Sequence, residues 1–341
     1  MKRHEQPIHH PSSTTTNRHP PSRGQFVCTV AANIPLCREH FRLVLHLPLF
    51  PSTRPGQFIQ ISCRNLSDDF AREPEWDLTD PRQAFEHGSE LLAPLALLRR
   101  PFSLAGRRDT AKGIELDIIH RVVGTGTNWM AHLKTGDEVF ILGPLGNQFQ
   151  PPPPNGQAIL VGGGVGIPPM LYLAELLAGR SAVAFCGALS RDLLPLTVHP
   201  HLPPLSPNST EPQPIIEEFS RHGIPSIITT DDGSFGFRGF VTQALERYLD
   251  SALSPQHSAL TIYTCGPEPM MKRVAEIAAA RQIDCQIAVE RAMACGMGTC
   301  QSCCIRVRKP DPSKPPLVGR DWCYRLACTD GPVFRGIDLL W

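Results

Sequence analysis

Thirteen residues constrain this chain more than any others. Met293–Ile305 reads Met-Ala-Cys-Gly-Met-Gly-Thr-Cys-Gln-Ser-Cys-Cys-Ile, which sets Cys295, Cys300 and Cys303 at the spacing C-x4-C-x2-C. That spacing opens the plant-type [2Fe–2S] pattern, and the pattern needs a fourth cysteine further on. Cys323 and Cys328 both follow. Three thiolates reach one small anionic centre only if the backbone wraps around it, and Gly296 and Gly298 permit the positive φ and close approach that a side chain blocks. Backbone N–H groups of such a loop can turn toward the sulfurs and tune the potential. Cys304, at the start of a strand expected over Cys304–Val307, is expected to project away from its neighbour Cys303.

Two blander readings compete. Structural zinc favours paired C-x2-C knuckles, and only one C-x2-C is present. A disulfide framework needs a higher density than 12 Cys in 341 residues, several of them inside apolar runs. With 41% hydrophobic residues the chain can build proper cores, and its length suggests two or three domains. The formal net charge of +1 indicates neither a nucleic-acid footprint nor a polyanionic partner. The most apolar run, Leu91–Leu98, is broken by Pro94 and followed by Arg99 and Arg100, so no membrane span is expected. Residues 1–23 are rich in His, Pro, Ser and Thr without an apolar core, which reads as a disordered tail rather than a signal peptide. A soluble cytoplasmic protein is the expectation.

From Gln25 onward, short β-rich runs at Phe26–Ala31, Phe41–Leu47, Gln57–Ser62, Ile114–Val123 and Glu138–Leu142 suggest a small antiparallel barrel over residues 24–150. Residues 65–98 form an acidic and polar insertion, read as a loop excursion with a little helix. Two stretches stand out. Arg100-Pro101-Phe102-Ser103 combines a guanidinium, a flat ring and a hydroxyl, and Val123-Gly124-Thr125-Gly126-Thr127 offers hydroxyls and glycine-exposed N–H groups. These are what a diphosphate and a flat heterocycle require. Each alone also fits the start of a strand or a turn before a helix.

Gly143-Pro144-Leu145-Gly146-Asn147 and the run Pro151–Pro154 interrupt the chain, and a boundary near 151–155 follows. Residues 155–289 then alternate strands with helices, predicting a doubly wound parallel sheet: Ala158–Val161, Ser181–Cys186, Ser226–Thr229, Thr261–Thr264 and Cys285–Val289, with helical runs at Met170–Leu177 and Pro269–Gln282. The first strand leads into Gly162-Gly163-Gly164-Val165-Gly166-Ile167-Pro168, a G-x-G-x-x-P loop in which Pro168 replaces the third glycine of the usual dinucleotide fingerprint. Gly164, Gly166 and Pro168 are therefore candidate nucleotide contacts. The strand at Thr261 ends in Cys265-Gly266-Pro267, and ligands sit at the carboxyl ends of parallel strands. Cys265 is a candidate to face the cofactor, the alternative being a small residue at a tight turn. The segment 203–214 is a Pro- and Ser-rich insertion.

Taken together, these motifs resemble the ferredoxin–NADP reductase-like flavoproteins. More closely, Glu290-Arg291-Ala292-Met293-Ala294-Cys295-Gly296-Met297-Gly298-Thr299-Cys300 and Ala327-Cys328-Thr329-Asp330-Gly331-Pro332-Val333-Phe334 resemble the electron-transfer subunits of class B dihydroorotate dehydrogenases. The resemblance covers Gln25 to Trp341 apart from the two insertions, and implies a [2Fe–2S] domain over 290–341. It selects Cys328 as the fourth ligand and makes Cys323 a bystander. It implies that Arg100 holds the FAD diphosphate with Gly126 and Thr127, that Phe102 lies against the isoalloxazine with Pro101 beside it, and that Ser103 sits at its N5 edge. Ser103 and Cys265 are thus the candidate catalytic residues, with Gly266 and Pro267 in the nicotinamide site.

The resemblance also implies a route: NAD(H), FAD, cluster, and then the FMN of a separate catalytic subunit interconverting dihydroorotate and orotate, in a heterotetramer of two plus two. After Ser181–Cys186 the chain reads Ser190-Arg191-Asp192, equivocal between NADP and NAD, and the resemblance favours NAD. The same architecture serves hydrogenases and ferredoxin-dependent transhydrogenases. A redox-inactive, zinc-stabilised binding module is the alternative from another class. Asp330–Trp341 is unusually apolar for a chain end, fitting either a tucked core segment or a partner-facing edge.

Overall fold

The computed structural model describes residues 23–65, 96, 98–200, 207–252, 259–308 and 321–341. The expectations for the tail 1–22 and for 66–95 of the first insertion lie outside the described residues, as does 203–206 of the second.

The first unit is a seven-stranded antiparallel sheet of β1 (Gly24–Cys37), β2 (His40–Leu47), β3 (Phe58–Ile61), β4 (Arg100–Ser103), β5 (Gly106–Thr110), β6 (Gly113–Arg121) and β7 (Glu138–Leu145), with helix α1 (Thr125–Ala131) between the last two. The strand order is β4-β3-β7-β1-β2-β6-β5. Its outermost strands, β4 and β5, are consecutive in the chain and joined by Leu104 and Ala105 alone. A two-residue link spans at most about 10 Å between strand ends, so the sheet must curl until its edges nearly meet. Register shifts in β1 between Val30 and Ala32 and between Pro35 and Cys37 supply part of the bend. Alternate residues, among them Val30, Leu43, Leu45, Ile59, Ile61, Leu116 and Ile118, fill the interior. The sequence reading found five of these strands; it left open whether Arg100–Ser103 is strand, and β5 went unseen because Gly106-Arg-Arg-Asp-Thr110 is polar and exposed on an edge.

The second unit is a parallel sheet with helices on both faces. Its strands are β8 (Gln157–Gly163), β9 (Ala182–Ala188), β10 (Ser226–Thr230), β11 (Phe237–Arg238), β12 (Leu260–Cys265) and β13 (Asp284–Ala288). The helices are α2 (Ile167–Leu176), α3 (Glu217–Ser220), α4 (Val241–Ala252) and α5 (Glu268–Ala280). A separate hairpin of β14 (Cys304–Arg308) and β15 (Trp322–Leu326) follows, and β16 (Val333–Arg335) then returns to the sheet antiparallel to β13. The order β11-β10-β9-β8-β12-β13-β16 reverses direction between β8 and β12. That reversal opens a crevice at the carboxyl ends of the strands, where α/β sheets take ligands. β9 is buried along its whole length, as a strand covered on both faces must be.

The two units interlock through α2. Tyr172 reaches into the barrel core, where its hydroxyl donates to the Thr53 carbonyl (3.1 Å) and bonds the Thr53 hydroxyl (2.7 Å). The turn Gly143–Asn147 is equally connective: Asn147 Nδ2 donates to the carbonyls of Asp330 (2.9 Å) and Val333 (2.8 Å), and Val333 N–H donates back to Asn147 Oδ1 (2.8 Å). The end of the chain is thereby clamped to the barrel. Val333 and Leu339 are buried, and Phe334 and Trp341 pack on the sheet core. The core-segment expectation for Asp330–Trp341 holds at Val333 and Leu339, while Ile337 stays exposed.

Candidate functional site

A cleft of about 840 Å³ separates the barrel from the sheet. Pro101, Phe102 and Ser103 of β4 and Thr127 of α1 line one side; Gly164, Gly166, Pro168, Cys265, Gly266 and Pro267 line the other. Ten of the sequence-derived site residues, from Pro101 to Pro267 in the chain, thus wall one cavity. Arg100 and Gly126 stand beside it. Arg100 is exposed and its Nη1 donates to the Leu98 carbonyl at 3.3 Å, while Gly126 is buried, with room for no more than its hydrogen before Cys63 Sγ at 3.3 Å from a built Cβ. The Ser103 hydroxyl has no hydrogen-bond partner among the described residues, so it is available to a ligand. Thr127 Oγ1 accepts from Val123 N–H (2.9 Å) and Gly124 N–H (3.1 Å), which fixes the turn before α1.

The glycine loop works mainly by close approach. A Cβ on Gly166 would lie 2.1 Å from the Cys265 carbonyl oxygen, so only glycine lets the start of α2 seat against the end of β12. The start of α2 is a poor anion trap: Pro168 and Pro169 lack N–H groups, and Ile167 N–H already bonds the Gly164 carbonyl. This is the physical meaning of the proline in G-x-G-x-x-P. Burial pushes the Cys265 thiol up to about 12, so it stays protonated and offers an S–H rather than a thiolate. At the end of β9, Ser190 and Arg38 (3.0 Å) both engage Asp192, and the Arg191 guanidinium lies over Phe235 at 5.2 Å. Sequence reasoning missed three further cleft residues: His40, His120 and Asp231. Isolated histidines in strands carry no motif signal.

Met293 also lines the cleft, and two residues later the cysteine loop begins. Gly296 (φ +69°) and Gly298 (φ +87°) take the left-handed conformation the spacing required. A Cβ on Gly296 would sit 2.6 Å from Gln60 Oε1, because the loop rests directly on β3 of the barrel, and Gln60 Nε2 donates to the Ala294 carbonyl at 3.4 Å. The N–H groups of Met297 and Cys300 both donate to Cys295 Sγ at 3.4 Å. Ser302 hydrogen-bonds the Cys300 thiol (3.2 Å) and draws it down to about 6. Burial, then the neighbouring Cys303 thiol, pushes Cys328 up to about 11, against a lowering contact from the Gly298 N–H. Among the described residues no three ligating side chains stand at single-ion spacing. The thiols are instead paired, Cys295 with Cys300 and Cys303 with Cys328. Two thiol pairs, loop N–H groups on the sulfurs and glycines where a Cβ would intrude make a donor set suited to a two-iron cluster.

Register separates the two candidates for the fourth position. Ala327 N–H donates to the Cys303 carbonyl (3.1 Å) and Cys304 pairs with Leu326, so Cys328 stands at the loop end of the hairpin. Cys323 pairs with Val307, three residues or about 10 Å down the strand. Cys304 is exposed where Cys303 is buried, as alternation along the strand requires.

The iron–sulfur cluster binding domain of dihydroorotate dehydrogenase B matches residues 290–340. The dihydroorotate dehydrogenase B (NAD(+)) electron transfer subunit of Geobacillus thermodenitrificans is 34% identical over 267 residues, 77% of this chain and 88% of that protein. Its counterpart from Caldanaerobacter subterraneus subsp. tengcongensis is 31% identical over 286 residues, 84% and 87% of the two chains. Among solved structures, an NADH-dependent reduced ferredoxin–NADP oxidoreductase studied for flavin-based electron bifurcation superposes with a TM-score of 0.64 at 25% identity, covering 93% of this chain and 91% of that one. A ferredoxin–NADP+ reductase from Plasmodium falciparum shares the fold at a TM-score of 0.52 and 13% identity. With its cleft, its cysteine loop and relatives above 30% identity along most of its length, the chain belongs to the family of dihydroorotate dehydrogenase B (NAD(+)) electron transfer subunits.

Proposed function

We propose that this chain carries electrons between NAD(H) in the cleft and the FMN of a separate dihydroorotate dehydrogenase catalytic subunit, by way of bound FAD and a [2Fe–2S] cluster held by Cys295, Cys300, Cys303 and Cys328. One observation carries the reading: Met293 lines the cleft and Cys295 opens the cysteine loop, so the cleft wall and the first cluster thiol are no more than about 8 Å of backbone apart. When bound, FAD supplies the exchange between a two-electron hydride donor and a one-electron acceptor.

The protein's own groups do the rest. Phe102 provides a flat apolar face for a heterocycle, and Ser103 offers an unpartnered hydroxyl at its rim. Arg100, at the edge of the same strand, has a guanidinium for a diphosphate, with the Gly124–Thr127 turn on the same side of the cleft. Gly166 and the Cys265–Pro267 turn let a nicotinamide approach the far side, and Cys265 stays neutral there. The division into 24–150, 155–289 and 290–341 follows the roles of flavin, nucleotide and cluster binding, with β16 of the last segment completing the nucleotide sheet. Among the described residues no helix is long and apolar enough to cross a membrane. A cytoplasmic heterotetramer of two copies of each subunit is part of the proposal.

Anaerobic NADH titration tests it: the purified protein should show both flavin bleaching and a reduced-cluster electron paramagnetic resonance signal. Stoichiometric zinc without iron, or flavin reduction that never reaches the cluster, overturns the reading.

A further inference from the structure

Gln60 is fully buried, yet one end of its amide goes unpaired. It lies in β3, where its backbone stands opposite Pro101, a wall residue of the cleft, on one side and opposite Leu142 on the other. Its side chain leaves the barrel for the cysteine loop. There Nε2 donates to the Ala294 carbonyl at 3.4 Å, and Oε1 rests on the Gly296 backbone, 2.6 Å from where a Cβ would stand. Oε1 has no hydrogen-bond partner among the described residues. The opposite amide orientation would set Oε1 against the Ala294 carbonyl, acceptor against acceptor. The donor end is thus fixed at Ala294 and the lone pairs at Gly296.

This arrangement costs stability, because a buried acceptor that has lost water and gained no donor forfeits a hydrogen bond. The surroundings suit an apolar side chain: Phe58, Leu142 and Leu145 belong to the same buried cluster as Cys303 and Cys328. A polar residue kept at such a place serves the loop it touches. Its N–H holds Ala294, whose own N–H donates to Ser302 Oγ at 3.3 Å, and Ser302 in turn bonds the Cys300 thiol. One barrel side chain thereby sets how the loop lies against the cleft wall. The oxygen acts differently. It is a partial negative charge in a dry interior, where its field is weakly screened. A two-iron cluster is anionic and gains one further negative charge on reduction, so a lone pair fixed at its loop favours the oxidised state.

We infer that Gln60 is a positioning residue for the cluster: its N–H seats the cysteine loop, and its unpaired oxygen holds the reduction potential down, so that an electron received there is readily passed on. The inference rests on the iron–sulfur reading of the loop.

The test uses full-length protein loaded with FAD and iron. Q60M fills the same space without polar amide atoms. Q60E in its neutral form reproduces both ends of the amide, an O–H toward Ala294 and a carbonyl oxygen on Gly296, and in its ionised form it adds negative charge. The cluster is followed by electron paramagnetic resonance in a dye-mediated redox titration, with the flavin midpoint and the iron content as internal controls. Q60M should retain iron and raise the ratio of reduced to oxidised cluster at a fixed solution potential by about fivefold, the size of one net hydrogen bond. That is a shift of about 40 mV, at about 59 mV per tenfold for one electron. The flavin midpoint should stay in place, and Q60E should sit at or below the wild-type cluster potential. An unshifted cluster in iron-replete Q60M, or a Q60E cluster above wild type, overturns the inference. Should Q60M alone lose its iron, the Q60E potential decides; loss of iron in both variants shows a purely structural side chain and also overturns it. A wild-type protein without iron contradicts the cluster reading itself and is a different outcome.

Discussion

Cys323 and Cys328 are the same side chain five positions apart, and the hairpin gives them different surroundings. Cys328 lies against Cys303 at the loop end, whereas Cys323 lies mid-strand opposite Val307. C328S should abolish the visible absorbance of the cluster, and C323S should leave both iron content and spectrum unchanged; the reverse result assigns the wrong fourth thiol. Glu175 makes a second residue-scale prediction. On α2 and facing Gly106 of the barrel, it is pushed up to about 7, chiefly by burial, with Arg221 opposing and Asp117 adding. An acid whose folded-state pKa lies above its unfolded value contributes most stability when protonated. That contribution is complete below about pH 4.5 and is lost as pH rises through about 7. E175Q keeps the neutral form at every pH, so its melting temperature relative to wild type should rise between pH 5 and pH 8 and converge at pH 4.

At the scale of elements, the contact between α2 and the end of β12 leaves no room for error. G166A would force a methyl against the Cys265 carbonyl, and backbone there has no soft side chain to yield. Overpacking of this kind typically costs about 1–3 kcal/mol, so G166A should melt several degrees early and bind nucleotide poorly. The last strand is also structural. β16 covers the edge of β13, and Asn147 ties it to the barrel, so truncation after Gly331 should expose that edge and produce aggregation on heating. Light scattering during a thermal ramp reads this directly; an unaltered profile would show that the segment is dispensable.

At the scale of the molecule, two units meet in one cleft and the cysteine loop leans on both. Gln60 is the joint: it is fully buried in β3, it pairs across the sheet with Pro101, and its amide donates to Ala294 just before Cys295. Q60A should slow the passage of electrons from flavin to cluster in stopped-flow mixing with NADH while sparing flavin reduction. Equal slowing of both phases would mean that Gln60 supports the fold alone. Co-expression with a dihydroorotate dehydrogenase catalytic subunit should yield a stable heteromer with NADH-linked orotate reduction, which the chain alone should lack.

The cysteine spacing, the glycine loop and the alternating strands were legible in the sequence because each is a local pattern: a cluster loop, a tight turn and a buried strand all fix residue types at short separations. Arg100–Ser103 and Gly124–Thr127 were legible as chemistry but not as neighbours. What local pattern leaves open, tertiary structure decided. The register of β14 and β15 placed Cys328 rather than Cys323 beside Cys303, since a hydrogen-bonded ladder and not residue identity sets who faces whom. The packing of barrel on sheet set β4 across one cleft from the glycine loop, about 60 residues further along the chain. His40 and His120, unremarkable alone, both reach the cleft wall only because β2 and β6 lie side by side, with His40 set opposite Arg121 and His120 opposite Phe41.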